Sequence, residues 1–228
     1  FYESFANRKK QPAMILKTNG ATFSIMDREE ILRKINDVKS KFPDDWILPN
    51  VYLLHGNLTD KEMNYLYNHP KVKSMVSLTH GEGYGRPLQE ATMTGLPVIA
   101  SNWSGQLDFL DGEKTLLLSG ELQTVPESAV WDDIIIPESK WFVADERDVY
   151  KSLVYSFENE YEIKNKAKEL MYINKKKFTL NKMSEKLDEI VEKYTKDIPS
   201  QVQLKLPKLK MIKDTESPKL KIPKLEKV

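Results

Sequence analysis

The chain has 228 residues, of which 40% are hydrophobic, and this is enough for one domain with an ordinary buried core. Its 35 basic and 34 acidic side chains nearly cancel, so no overall charge favours nucleic acid or a membrane surface as a partner. The sequence contains no cysteine, which excludes disulfides and thiolate metal ligands and leads us to expect a reducing, cytoplasmic location. No apolar run approaches the roughly 20 residues of a membrane helix.

The N-terminal residues predict the end of a helix. Aromatic residues at positions 1, 2 and 5 precede Arg8-Lys9-Lys10, a pattern typical of the last turns of an amphipathic helix. The sequence starts at Phe1 with neither an initiator methionine nor a signal-peptide pattern, so we expect it to be part of a longer chain.

Apolar runs and helix signals then alternate along the chain. Asp27 is the expected cap of a helix from 28 to about 42, and Thr59 with Glu62 forms a capping-box pattern for a helix ending near Asn68. The runs that predict strands are 13–17, 51–54, 74–78 and 97–100, with a fifth candidate at 116–118. This alternation predicts an α/β fold, a Rossmann-like parallel sheet with helices on both faces. Ligands of such sheets bind outside the carboxyl ends of the strands.

The second half of the chain predicts a loop, three helices and a tail. Residues 119–140 carry prolines and short apolar pieces and are interpreted as a long loop or insertion. The closing helices are predicted at 146–159, 162–175 and 181–194. From 198 onward four prolines and eight lysines against three acids indicate an extended or disordered tail, which is either simply solvated or a docking strand or anionic-surface contact. We therefore divide the chain into a domain at 1–196 and a basic tail at 197–228.

The stretch 77–90 predicts a strand, a glycine-rich turn and the start of a helix. Gly81, Gly83 and Gly85 alternate with other residues after an apolar run, and Pro87 suits a first helical position. Such a turn exposes backbone N–H groups at a helix N-terminus, where phosphate is a common ligand. A second turn, at 102–106, follows the next strand and is expected on the same edge of the sheet.

Two carboxylates flank the glycine turn. Glu90 is expected about one turn inside the helix, roughly 5.4 Å along its axis, and Glu82 on the loop before it. A diphosphate on the turn would have one carboxylate on either side, the inner one placed for ribose hydroxyls and the outer one for whatever the diphosphate carries. Either residue alone would be read as a surface glutamate that matches the helix dipole.

This pattern resembles the signature of the retaining GT-B glycosyltransferases, most closely glycosyltransferase family 4. The resemblance lies in Glu82 and Glu90 in register with the glycines, in Gly95-Leu96-Pro97-Val98, and in Leu53-Leu54-His55-Gly56. It covers about residues 1–194 and implies the C-terminal, donor-binding half of a GT-B fold.

The resemblance implies a role for each residue of the motif. Glu90 would bind the ribose diol of a nucleotide sugar, and Glu82, the expected catalytic residue, would contact the donor sugar. The backbone at Gly83, Tyr84 and Gly85 would hold the diphosphate, with Gly105 closing from the next loop. Transfer of a hexosyl group would retain configuration, with the diphosphate helping to deprotonate the acceptor. No metal or cofactor is implied, and the sequence has no Asp-x-Asp pattern.

Three further residues are weaker donor-site candidates. Arg86 stands where the family usually has an apolar residue, and a cation at a helix N-terminus is favoured if an anion lies there; a surface role is the alternative. His80 lies in the turn, and Lys17 follows the first strand on the same edge, where a solvated lysine is the alternative.

The resemblance also implies what the chain lacks. The family's phosphate-neutralising Arg and Lys, its first strand and its acceptor-binding half have no match here, so the chain alone should bind a donor weakly and transfer little. The expected partners are a nucleotide sugar and a carbohydrate, lipid or protein acceptor. A sugar-nucleotide epimerase or phosphorylase of the same fold, and a non-catalytic nucleotide-sugar binding module, remain as alternatives.

Overall fold

A computed structural model describes residues 1–18, 24–131 and 133–196. The chain forms one compact unit over Phe1–Met183, and a second unit begins at Ser184. The tail at 197–228 lies outside the described residues, so the boundary that we expect after residue 196 stays a prediction. Among the described helices, none is long and apolar enough to cross a membrane.

Seven helices and seven strands are described. The helices are α1 Tyr2–Phe5, α2 Ile25–Lys39, α3 Asp60–Asn68, α4 Arg86–Met93, α5 Glu146–Glu158, α6 Glu160–Lys177 and α7 Leu180–Thr195. The strands are β1 Met14–Thr18, β2 Val51–His55, β3 Met75–Ser77, β4 Val98–Ser101, β5 Leu116–Leu118, β6 Gly120–Thr124 and β7 Lys140–Ala144. Short 3-10 turns lie at Gly105–Asp108 and Glu127–Ala129.

The fold is α/β, and its first five strands pair in parallel within two sheets. β1 pairs with β2, and β4 lies between β3 and β5. β4 is buried throughout, and its side chains alternate between two cores. Val98 and Ala100 join the core that includes residues of α3 and α4, whereas Ile99 joins Phe5 of α1 and Leu153 of α5 in the other. Helices therefore cover both faces of the sheet, which confirms the predicted fold class.

Three of the expected helix ends are wrong. The first helix is a single turn, because Asn7 adopts a left-handed φ of 59° and its N–H and side chain bond to the backbone of Ile47 instead. The second helix begins at Ile25 rather than Arg28, because the hydroxyl of Ser24 accepts the N–H of Asp27 and thereby caps the first turn. It ends at Lys39, three residues before the predicted Phe42.

The interpretation of 119–140 as a loop or insertion is also wrong in part. β6 and β7 pair antiparallel, with Gly120 opposite Ala144 and Thr124 opposite Lys140. Every residue of β6 is exposed, so this strand has no buried side to give it an alternating apolar pattern. The hairpin matters for the site because β7 contacts the glycine turn.

Thr59→Ala is expected to lower the free energy of unfolding by about 1 kcal/mol, because it removes the cap of α3. The Thr59 hydroxyl accepts the Glu62 N–H at 3.3 Å, and the Glu62 carboxylate accepts the Thr59 N–H at 2.7 Å. The Thr59 N–H and the Thr59 hydroxyl, which also donates to this carboxylate at 2.8 Å, hold the pKa of Glu62 below its usual 4.5. The contribution of the hydroxyl, which Thr59→Ala removes, is present above that pH and is lost as the pH falls through the folded-state pKa. Urea unfolding at neutral and acid pH should show the difference between the two proteins narrowing in acid; an unchanged difference contradicts the reciprocal cap.

Candidate functional site

The glycine turn follows β3 and is held by the next loop of the sheet edge. The Ser104 hydroxyl donates to the carbonyl oxygen of Glu82 at 2.6 Å and accepts the Glu82 N–H at 3.1 Å. The N–H of Gly105 reaches the same carbonyl at 3.0 Å, and the Ser101 hydroxyl donates to the carbonyl of Thr79 at 3.1 Å. The structure thus brings together the two turns that the sequence placed on one edge.

Two glycines permit this close approach. A Cβ on Gly105 would lie 2.1 Å from the carbonyl oxygen of Gly83, so only glycine fits there. Gly85 has a φ of 85° and is the residue that caps α4, a conformation that costs glycine little. A Cβ on Gly83, in contrast, would meet nothing within 4 Å.

Three consecutive backbone N–H groups of the turn are unpaired within the described residues. Within the described residues, the N–H groups of Gly83, Tyr84 and Gly85 donate to no acceptor. They come directly before α4, which begins at Arg86 and has Pro87, a residue without an N–H, in second rather than first position. Unpaired N–H groups and the positive end of the helix dipole both favour an anion at this point.

The two carboxylates lie as the spacing predicted, with Glu82 in the turn and Glu90 as the fifth residue of α4. The Glu90 carboxylate lies 2.9 Å from Nε of Arg86, in an ion pair whose side chains are 42% and 78% exposed. Glu82 is half-buried, and its side chain has no ion pair or hydrogen-bond partner in the described part of the chain. Glu82 can therefore accept hydrogen bonds from a ligand, while Glu90 must first share or release Arg86.

Tyr84 contacts Gln89 and Phe109. Its hydroxyl accepts a hydrogen bond from the Gln89 side chain, and its ring lies 5.2 Å from that of Phe109. Burial and the negative charge of Asp108 raise the pKa of Tyr84, so its hydroxyl stays protonated at neutral pH and can donate to an anion.

β7 holds the start of the glycine turn. The His80 ring stacks on Trp141 at a centroid distance of 4.0 Å, and Nδ1 of His80 lies 2.7 Å from the carbonyl oxygen of Phe142. Because a carbonyl oxygen only accepts, Nδ1 carries the proton and Nε2 is left as an acceptor. Trp103 stacks parallel to Phe142 at 6.0 Å and is 40% exposed. His80 is thus fixed by structural contacts, and its candidate role at the donor stays a prediction.

Lys17 has a partner elsewhere. Its ammonium group donates to the carbonyl oxygen of Gly56 at 2.7 Å, at the end of β2. No hydrogen bond among the described residues joins Lys17 to the glycine turn. The remaining predicted residues, Glu82, Gly83, Tyr84, Gly85, Arg86, Glu90 and Gly105, lie together in the turn, the helix start and the facing loop.

Three side chains that sequence reasoning passed over shape this site. They are Ser104, which joins the two turns; Trp141, which stacks on His80; and Tyr67, whose buried hydroxyl lies near Glu90. Ser104 stands in the serine-glycine pair of the second turn, which was a usable signal. The other two come from segments whose contact with the turn has no local pattern.

No family model and no curated protein matches the chain. Among solved structures, a chain of the "GtfA/B complex" is similar, with a TM-score of 0.49 and 15% sequence identity over 82% of this chain. The match takes in 36% of that chain, so the present chain spans about a third of its length. A likeness at this level says nothing about what the chain binds.

Proposed function

We propose that the chain binds a nucleoside-diphosphate sugar at the glycine turn and is the donor-binding part of a retaining glycosyltransferase of the hexosyl type. The observation that carries this proposal is the row of unpaired N–H groups at Gly83, Tyr84 and Gly85, flanked in the chain by Glu82 and Glu90. An anion fits the amides, and neutral hydroxyls on either side of it fit the carboxylates. A diphosphate between two sugar rings has this sequence of groups.

Each part of the site has a step in the proposed reaction. The amides and the α4 dipole bind the diphosphate and stabilise the negative charge that it gains as the bond to the sugar breaks. Glu82 accepts hydrogen bonds from the sugar hydroxyls and orients the ring. The acceptor hydroxyl attacks from the face that the diphosphate leaves, and its proton passes to a diphosphate oxygen, so that configuration is retained. We propose that no metal takes part.

The order in which the strands pair supports the proposal that one strand of the parallel sheet is lacking. Doubly wound sheets commonly have the order 3-2-1-4-5-6. The described pairings, β2 with β1 and β3 with β4 and β5, match this order if one strand lies between β1 and β3. We propose that the complete protein supplies this strand, together with the basic residues that neutralise the departing diphosphate and the acceptor-binding half.

Glu90→Gln is expected to weaken UDP, GDP or ADP binding about tenfold or more, because charge-assisted hydrogen bonds to the ribose become neutral ones. The unpaired Arg86 that remains is exposed, so folding should be little affected. NMR titration of the chain with each nucleotide up to millimolar concentration measures both the affinity and the residues that shift.

Glu169→Gln is the matched control, because Glu169 is exposed on α6 and its negative charge acts on Lys166 of the same helix. Glu169→Gln should bind each nucleotide with the same affinity as the unchanged chain. Binding of no nucleotide, or equal binding by the Glu90 variant, would overturn the donor-site proposal. Transfer itself is measured by product analysis on the full-length protein, where sugar epimerisation without an acceptor would favour the other enzyme class.

A further inference from the structure

A cavity of about 560 Å³ lies beside Glu90, between α3, α4 and α6. Both Glu90 and Tyr67 line it. Tyr67 comes from α3, so the cavity brings a phenol from one helix near the carboxylate of another. The negative charge of Glu90 adds to burial in raising the pKa of Tyr67, and the positive charge of Arg86 acts in the opposite direction.

The Tyr67 hydroxyl is buried without a hydrogen-bond partner in the described part of the chain. The residue is 8% exposed and packs in the core with Leu88 and Ala91 of α4, so its ring position is fixed. A buried hydroxyl without a partner is costly and needs an explanation. Glu90 lines the same cavity, and its carboxylate is the kind of acceptor that this phenol lacks.

Without a ligand, Glu90 forms an ion pair with Arg86, and this ion pair is weak. The pair is exposed, and exposed pairs of this spacing contribute little. Arg86 is also the first residue of α4, where its positive charge opposes the helix dipole. A diphosphate on the amides of Gly83 to Gly85 would attract the guanidinium strongly, since arginine and phosphate form bidentate pairs.

We infer that Glu90 exchanges partners when a nucleoside diphosphate binds: Arg86 moves to the diphosphate, and the Tyr67 hydroxyl donates to the released carboxylate and holds it on the ribose hydroxyls. Tyr67 is then a positioning residue, and the movement of Arg86 couples binding of the diphosphate to the release of Glu90. This inference rests on the proposed function. It also explains why the phenol has no partner while Arg86 holds the carboxylate.

The first test compares ribonucleotides with analogues that lack the ribose hydroxyls. The unchanged chain should bind UDP, GDP or ADP about tenfold more tightly than the 2′,3′-dideoxy counterpart. Tyr67→Phe should reduce this preference to about threefold or less and leave the affinity for the dideoxy nucleotide unchanged. Tyr65→Phe is the matched control, because that tyrosine lies on the same helix and is 69% exposed. If Tyr67 had only a structural role, Tyr67→Phe would weaken binding of both ligands by the same factor.

The outcomes separate the two proposals. If the unchanged chain does not distinguish the ribonucleotide from the dideoxy nucleotide, Glu90 does not hold the ribose and the proposed function fails. If the unchanged chain and Tyr67→Phe prefer the ribonucleotide over the dideoxy nucleotide by the same factor, only the partner exchange fails. Thermal melting of Tyr67→Phe checks folding; the melting temperature should be unchanged or higher, because the hydroxyl has no partner to lose and its burial is costly.

A second variant tests the Arg86 side of the exchange. Arg86→Ala frees Glu90, so it should strengthen binding of uridine, guanosine or adenosine severalfold. It also removes a phosphate ligand, so it should weaken binding of the matching diphosphate severalfold. These opposite changes are expected only if Arg86 leaves Glu90 for the diphosphate; equal or absent changes for the two ligands would overturn the inference.

Discussion

Gly105→Ala is expected to abolish nucleoside diphosphate binding and to lower the free energy of unfolding by about 3 kcal/mol. The new Cβ would fall 2.1 Å from the carbonyl oxygen and 2.7 Å from the carbonyl carbon of Gly83. Both atoms belong to the backbone, so the two turns must separate. The 3.0 Å bond from the Gly105 N–H to Glu82 is then lost, and the backbone that carries the unpaired amides is displaced. Thermal melting and NMR titration with UDP, GDP and ADP measure the two effects.

Gly83→Ala is the matched control for stability. Its Cβ would meet nothing within 4 Å, so the free energy of unfolding should change by less than about 0.5 kcal/mol. If Gly105→Ala has the same melting temperature and the same nucleotide affinity as the unchanged chain, the close approach of the two turns is not what orients the amides.

The backbone of Ser104 supports the view that the turn is built for a ligand. Its φ of 76° and ψ of −164° fall in a region that is nearly restricted to glycine. Such a conformation costs of order 1–3 kcal/mol and persists only where the surroundings hold it. Here the two hydrogen bonds between the Ser104 hydroxyl and the Glu82 backbone hold it. Strain of this kind is common where a ligand-binding backbone is fixed in advance.

Most of the helices and parallel strands could be predicted because their signals are local. The capping box at Thr59 and the buried run at Val98–Ser101 each need only a few neighbouring residues, and the structure places both elements within one residue of the prediction. The start of α2 was missed because two polar residues, Ser24 and Asp27, could each cap it, and the sequence alone does not rank them.

The hairpin could not be predicted because its stability lies in pairing between distant segments. β6 is exposed along its whole length, and its partner begins sixteen residues after it ends, at Lys140. The same reason explains the residues missed at the site. The glycine turn itself is local and was recognised, but Ser104 contacts Glu82 from 22 residues away and Trp141 reaches His80 from β7.

Asn174 joins three parts of the chain beneath the site. It is 1% exposed, and its side-chain amide donates to the Thr92 hydroxyl at 3.0 Å and to the Phe109 carbonyl at 3.1 Å. These bonds attach α6 to α4 and to the residue that follows the 3-10 turn at Gly105–Asp108. Lys164 adds a further link from α6, because its ammonium group donates to the Gly95 carbonyl at 2.7 Å.

Asn174→Ala is therefore expected to lower the free energy of unfolding by about 3 kcal/mol, since it leaves a cavity and a buried carbonyl without a donor. For a chain of this size the melting temperature should fall by about 6–12 °C. Well below that temperature nucleotide binding should persist, because the bonds that hold the glycine turn run through Ser104 and Gly105 instead. Lys176→Ala, at an exposed position of the same helix, should melt within about 2 °C of the unchanged chain. A melting temperature of Asn174→Ala within the same 2 °C margin would show that these two buried hydrogen bonds do not hold α6 to the site.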